Sequence, residues 1–195
     1  MIHVGTLSGR LFAALIVVWA LSEFWLGWKR RSEDRSHARD RGTLRLLLVT
    51  VYVCICLAVW LSYRSEGHIG NANVRQPLFW AGLLLMATGL ALRFWAIRVL
   101  ARFFTIDVNI QPGHELIRHG PYRLLRHPSY TGSLMTFLGF GLGLGNVWSL
   151  LVVMAPVTVA FLWRMRIEER VLAEAFPTQY PEYARRTKRL IPFVW

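Results

Sequence analysis

The residues best suited to do chemistry in this chain fall in one stretch, residues 114–132. It holds three histidines (His114, His119, His127), hydroxyl groups at Tyr122, Ser129, Tyr130 and Thr131, and three arginines (Arg118, Arg123, Arg126). Imidazoles and phenols offer both donors and acceptors, and guanidinium groups clamp carboxylates or phosphates. A plain connector between apolar segments has no need of that variety. The steps Gly120-Pro121 and His127-Pro128 push the residue before each proline out of helical geometry. The stretch therefore reads as a folded loop that ends where a helix begins. The histidines stand five and eight positions apart, a spacing that gives no metal site without a special loop fold, and no metal is expected. Glycine-rich nucleotide signatures are absent, as is any defensible Ser/His/Asp set.

A second constellation lies near the C-terminus. Arg164 and Glu168 are four apart and share one helix face where a long apolar segment gives way to charge. Taken singly, the two could be an ordinary interfacial ion pair, and Tyr122 and Tyr130 ordinary interfacial aromatics. Together they suggest a site that holds a polar, charged cofactor from the aqueous side while a helix bundle admits a lipophilic substrate from the bilayer. Such a site favours chemistry on the polar head of a lipid-like molecule.

The elements that must position these residues are apolar helices. Of the 195 residues, 54% are hydrophobic and 17% charged, and the mean hydropathy is +0.36, values of an integral membrane protein. Each span with its connection takes roughly 30–40 residues, so about five spans in a single domain are expected. Residues 11–28, 44–63, 78–96, 130–145 and 147–163 are the predicted spans, giving an all-α, multi-pass helical bundle with a cofactor-binding loop and a C-terminal helix. Residues 1–76 supply the first two spans and residues 77–195 the catalytic core. Gly82, Ala87, Gly89 and Ala91 in the third span, and Gly132, Gly139, Gly141, Gly143 and Gly145 in the fourth, allow close helix approach. Pro156 is expected to kink the last span.

The formal net charge of +12 raises the question of nucleic acid, and the distribution of charge answers it. Residues 29–45 carry seven basic against three acidic groups, residues 98–128 five against two, and residues 164–195 seven against four, whereas residues 64–76 carry two against one. Alternate connections are strongly basic, which places the N-terminus outside and the C-terminus and the polar loop in the cytoplasm. Anionic membrane lipids, not nucleic acid, are the expected partners of these arginines. Cys54 and Cys56, two apart in an apolar run, point to different faces and form neither a metal pair nor a disulfide. Two charges fall within spans. Glu23 reads as a carboxylate snorkelling to the interface, and Arg93 reads equally as a snorkelling side chain or a functional cation.

The motif Arg118-His119-Gly120-Pro121-Tyr122-Arg123, followed by Arg126-His127-Pro128-Ser129-Tyr130-Thr131-Gly132, resembles the signature of the isoprenylcysteine carboxyl methyltransferase family. The C-terminal pattern agrees: Arg164, Glu168-Glu169, Phe176, Tyr180, Tyr183 and Arg189-Leu190-Ile191-Pro192. The resemblance covers roughly the last hundred residues. It implies a membrane enzyme using S-adenosyl-L-methionine to methylate the carboxyl group of a lipophilic, isoprenylcysteine-like acid taken from the bilayer. It further implies cofactor contacts at His114, Glu115, Leu116, Ile117, Tyr122, His127, Pro128, Ser129, Tyr130 and Glu168, with Arg164 facing the substrate carboxylate. Pro177 stands where the family often has glycine, and Asp107 where a cofactor-contacting glutamine can occur. A phospholipid or amine N-methyltransferase, an NADPH-dependent membrane reductase and a non-catalytic lipid-binding membrane protein stay open as alternatives. Oligomeric state is not legible.

Overall fold

The computed structural model describes residues 6–29, 43–64, 66–104, 113 and 115–192. Six α-helices follow in chain order: α1 (Leu7–Lys29), α2 (Thr43–Ser62), α3 (Ala72–Leu100), α4 (Pro128–Leu144), α5 (Val147–Ala175) and α6 (Gln179–Arg186). A 3₁₀ turn at Gly120–Arg123 stands between α3 and α4. Residues 105–112, Asp107 among them, and His114 lie outside the described residues.

Glycine sets how the bundle packs. Gly82 and Gly89 are seven apart on α3, and Gly132 and Gly139 are seven apart on α4, so two antiparallel helices can meet twice. A Cβ on Gly82 would come within 2.7 Å of the Gly139 carbonyl, and one on Gly89 within 2.6 Å of the Gly132 carbonyl. No real Cβ makes such contacts, so the backbones touch only because these positions are bare. On the other side α2 packs on α5, where the Ser149 hydroxyl donates to the carbonyl of fully buried Ala58 at 2.7 Å. Phe12 and Trp19 of α1 complete the core against Phe137 and Phe140 of α4, and Val153, Val157, Phe161 and Met165 of α5 extend it.

A tight hairpin joins α4 to α5. Gly145 adopts φ 67° to end α4, and fully buried Asn146 caps α5 by accepting from the Ser149 amide at 3.1 Å. The Asn146 amide also donates to the Glu66 carbonyl at 2.9 Å, tying this hairpin to the α2–α3 connection.

Among the described residues four helices, α1, α2, α3 and α5, are long and apolar enough to cross a membrane. The fourth expected span, α4, is an apolar 17-residue helix. It rises roughly 25 Å, at the short end of what a span needs. At its start Pro128 is fully buried and His127 is 6% exposed, so α4 begins inside a protein-lined polar site. In contrast α3 and α5, 29 residues each, rise roughly 44 Å and carry their ends past the hydrocarbon. Large apolar side chains such as Phe24, Leu46, Leu84, Val159 and Trp163 line the outer surface, exposed by more than half. Acyl chains, not water, cover such a surface. The protein is an integral membrane protein.

Candidate active site

The site forms where the first turn of α4 meets the emerging end of α5. Proline at the first helical position fixes the start of α4, and from there Tyr130 points across to α5. Its hydroxyl donates to Glu168 Oε1 at 2.5 Å, and Arg164 Nε donates both to the Tyr130 oxygen at 2.9 Å and to Glu168 Oε1 at 3.2 Å. The Tyr130 ring is held between Phe161, 4.9 Å away, and His127, 5.7 Å away. The Arg164 side chain is 5% exposed and that of Glu168 24%, so Glu168 is the open edge of the triad. Glu168 Oε2 faces His127 Nδ1 at 3.7 Å.

Glu169 points another way, because neighbouring residues on a helix diverge by about 100°. It accepts from Arg189 Nη2 at 2.8 Å and Nε at 3.2 Å, stands 3.2 Å from Arg126 Nε, and meets His127 Nε2 at 3.2 Å. One carboxylate thus gathers two guanidinium groups and an imidazole. Backbone bonds reinforce the clasp: the Arg126 amide donates to the Lys188 carbonyl at 2.7 Å, that of His127 to Arg189 at 3.1 Å, and that of Lys188 to Leu124 at 3.1 Å. The chain after α6 is thereby laid along the loop that precedes α4, and Thr131 adds a hydroxyl bond to the Leu190 carbonyl at 2.8 Å.

Arg93 closes the other side. Its Nη1 donates to Ser133 Oγ at 2.7 Å and Ser129 Oγ at 3.1 Å, while Nη2 donates to Glu23 Oε2 at 2.9 Å and Nε lies 2.9 Å from Glu23 Oε1. Glu23, expected to snorkel, is instead the partner of Arg93, and α1 is anchored to the site through it. A charge near the end of a span is tolerable because protein groups replace its water.

Tyr122 sits on the 3₁₀ turn. Gly120, at φ 60°, lets the chain double back against Val99 and Trp95 of α3. The Tyr122 hydroxyl donates to the Ala96 carbonyl at 3.4 Å, and the Tyr183 hydroxyl of α6 donates to the Tyr122 carbonyl at 2.8 Å. Burial holds the Tyr122 phenol well above its usual range, with Tyr183 and Glu168 adding to that effect and Arg93 opposing it. Burial likewise pushes Tyr183 up to about 12, so at neutral pH it stays a donor.

Of the sequence-predicted residues, Tyr122, His127, Pro128, Ser129, Tyr130, Arg164 and Glu168 surround one region. Glu115 is exposed and Leu116 and Ile117 are half-buried, in a stretch without helix or bridge. None of these three side chains bonds to the triad among the described residues. His114 lies outside them. The sequence reading left no role for Ser133, Arg126 or Glu169; a hydroxyl four residues after Ser129 and a second acid beside Glu168 were the available signals.

The phospholipid methyltransferase family model matches residues 77–179, a segment that contains most of α3, the loop, α4 and α5. Protein-S-isoprenylcysteine O-methyltransferase A of Arabidopsis thaliana is 33% identical over 163 residues, which cover 81% of this chain and 82% of that protein. A probable protein-S-isoprenylcysteine O-methyltransferase of Oryza sativa subsp. indica is 30% identical over 192 residues, 94% and 95% of the two chains. This chain belongs to the isoprenylcysteine O-methyltransferase family. The fold agrees: the eukaryotic intramembrane Ras methyltransferase ICMT superposes with a TM-score of 0.61 at 22% identity, over 98% of this chain and 69% of that one. As a member of the isoprenylcysteine O-methyltransferase family the protein is a membrane methyltransferase, a class that draws its methyl group from S-adenosylmethionine. Glu23 and Arg189, which brace the site from either side, fall outside the segment matched by the family model.

Proposed function

We propose that this enzyme methylates the carboxylate of a lipophilic, isoprenylcysteine-like acid, using S-adenosyl-L-methionine bound beside Glu168. The observation that carries this reading is the Tyr130–Arg164–Glu168 triad at the point where α5 leaves the hydrocarbon. The residues fit the cofactor. Glu168 is the accessible acceptor that amino or hydroxyl groups require, and Tyr122 and His127 offer aromatic walls. The extended backbone at residues 115–118 offers peptide groups not taken up by a helix. When bound, the cofactor supplies an electrophilic methyl group on a sulfonium.

Arg164 would hold the acceptor carboxylate with one oxygen facing that methyl group, to which the oxygen would bond as sulfur leaves with the electron pair. A carboxylate is already ionised at neutral pH, so no general base is needed. The work left to the protein is alignment and desolvation. Arg164 is suited to it: Nε is fixed by Tyr130 and Glu168, which orients the planar guanidinium for carboxylate recognition. The apolar exterior of the bundle gives a lipid tail its access, and the excess of basic residues in alternate connections supports a cytoplasmic site and C-terminus.

An amine acceptor, as in phospholipid N-methylation, would have to shed a proton before attack. Among the described residues Glu168 Oε1 already accepts two hydrogen bonds and His127 Nε2 is engaged by Glu169, so neither of these atoms is free to take that proton. The expected outcome with purified protein and methyl-labelled cofactor is a base-labile methyl ester on a farnesylcysteine-type acid, and no base-stable label on phosphatidylethanolamine. The reverse pattern would transfer the enzyme to the amine class.

A further inference from the structure

Beyond methyl transfer, the geometry points to a second site: a pocket between the 3₁₀ turn and α6 that takes the phosphorylated headgroup of an anionic lipid. The cavity has a volume of about 290 Å³ and is lined by Arg118, Arg123, Glu182, Tyr183, Arg186 and Thr187. That volume stands at the lower edge of the roughly 300–1,000 Å³ typical of small-molecule sites. It shares no lining residue with the Tyr130–Arg164–Glu168 triad, from which it is separated by the turn that carries Tyr122.

Its donors and charges select the ligand. The two hydroxyl groups are spent internally, Tyr183 on the Tyr122 carbonyl and Thr187 on the Tyr183 carbonyl. The guanidinium groups remain. Arg186 pairs with Glu182 at 2.9 Å with both side chains exposed, and Arg118 makes only long contacts of 3.3 and 3.4 Å to Gln179. Arg123 makes no hydrogen bond or ion pair with any described residue. Three arginines against one glutamate leave an excess of two positive charges, matched by a phosphate monoester.

The surroundings decide in favour of a lipid over a free anion. Leu124, directly after Arg123, is 50% exposed, and Trp95 of α3, 53% exposed, stands against Gly120 at the start of the same turn. An exposed leucine and an exposed tryptophan beside unspent arginines are the arrangement of a surface at headgroup level, apolar groups reaching acyl chains and cations reaching phosphates.

The test titrates the full chain in detergent with short-chain phosphatidylinositol bisphosphate, read by calorimetry. Short-chain phosphatidylcholine, soluble inositol trisphosphate and an acidic peptide are separate arms. The phosphoinositide is expected to bind saturably and phosphatidylcholine not at all. Arg123→Gln should weaken binding about tenfold, the effect of losing one charged hydrogen-bond partner. Because the Arg123 side chain is exposed and bonds to no described residue, the variant should keep its thermal midpoint; Arg186→Gln serves as a second variant with the same expected direction. Equal affinity of wild type and both variants would overturn the site. Soluble inositol trisphosphate binding as tightly as the lipid would overturn the lipid assignment, as would the acidic peptide displacing the lipid at equal concentration.

Discussion

Arg164→Ala is expected to lower kcat by about 10²–10³-fold, the range seen when a single preorganised donor is removed from an active site. Affinity for the cofactor should change little, because Glu168 keeps its bond from Tyr130. The two readouts separate a substrate-orienting group from a scaffold group: loss of both activity and cofactor binding would make Arg164 structural, and unchanged kinetics would remove it from the mechanism. Arg164→Lys should recover only part of the loss. Lysine keeps the charge but not the fork, and the Nε that here faces both Tyr130 and Glu168 has no counterpart in it.

Glu169→Ala is expected to be the most destabilising single change near the site. Its carboxylate side chain is 14% exposed and is surrounded by Arg126, His127 and Arg189. Removing it leaves two guanidinium groups facing each other in partial burial, and breaking a buried pair in this way costs about 3–5 kcal/mol. The same change loosens the chain after α6 from the loop that positions His127. Thermal unfolding in detergent measures the loss. A double variant, Glu169→Ala with Arg189→Ala, should regain part of it, since the second change removes one of the stranded charges. Strictly additive losses would show that Glu169 and Arg189 do not act as a unit.

The parts of this architecture that could be read in the sequence are those set by local spacing. The small residues of α3 and α4, Gly82, Gly89, Gly132 and Gly139 among them, mark helices built for close approach, and the fold then shows that these two meet each other. His127-Pro128 marks a helix start because proline is compatible with a first turn and little else, and Arg164 with Glu168 must share a face. Of the residues that the family motif singles out, Tyr122, His127, Pro128, Ser129, Arg164 and Glu168 lie around Tyr130 in the fold, whereas Glu115, Leu116 and Ile117 make no bond to the triad among the described residues. What escaped the sequence are pairings across long separations. Glu23 and Arg93 are 70 positions apart, and each alone has an adequate explanation as a snorkelling side chain. Only the packing of α1 beside α3 makes them partners. The divergent roles of Glu168 and Glu169 also depend on what each helix face meets, the triad on one side and the returning C-terminal segment on the other. The buried start of α4 also escaped the sequence, because hydropathy registers apolar composition and not whether protein or lipid surrounds it.

The account rests on Glu168 as the cofactor's anchor beside Arg164, and calorimetric titration of purified protein with S-adenosylmethionine tests it most directly. Wild type is expected to bind, NADPH to give no heat, and Glu168→Gln to weaken S-adenosylmethionine by about tenfold or more through loss of a charged acceptor. Equal affinity in wild type and Glu168→Gln, or binding of NADPH in place of S-adenosylmethionine, would contradict it.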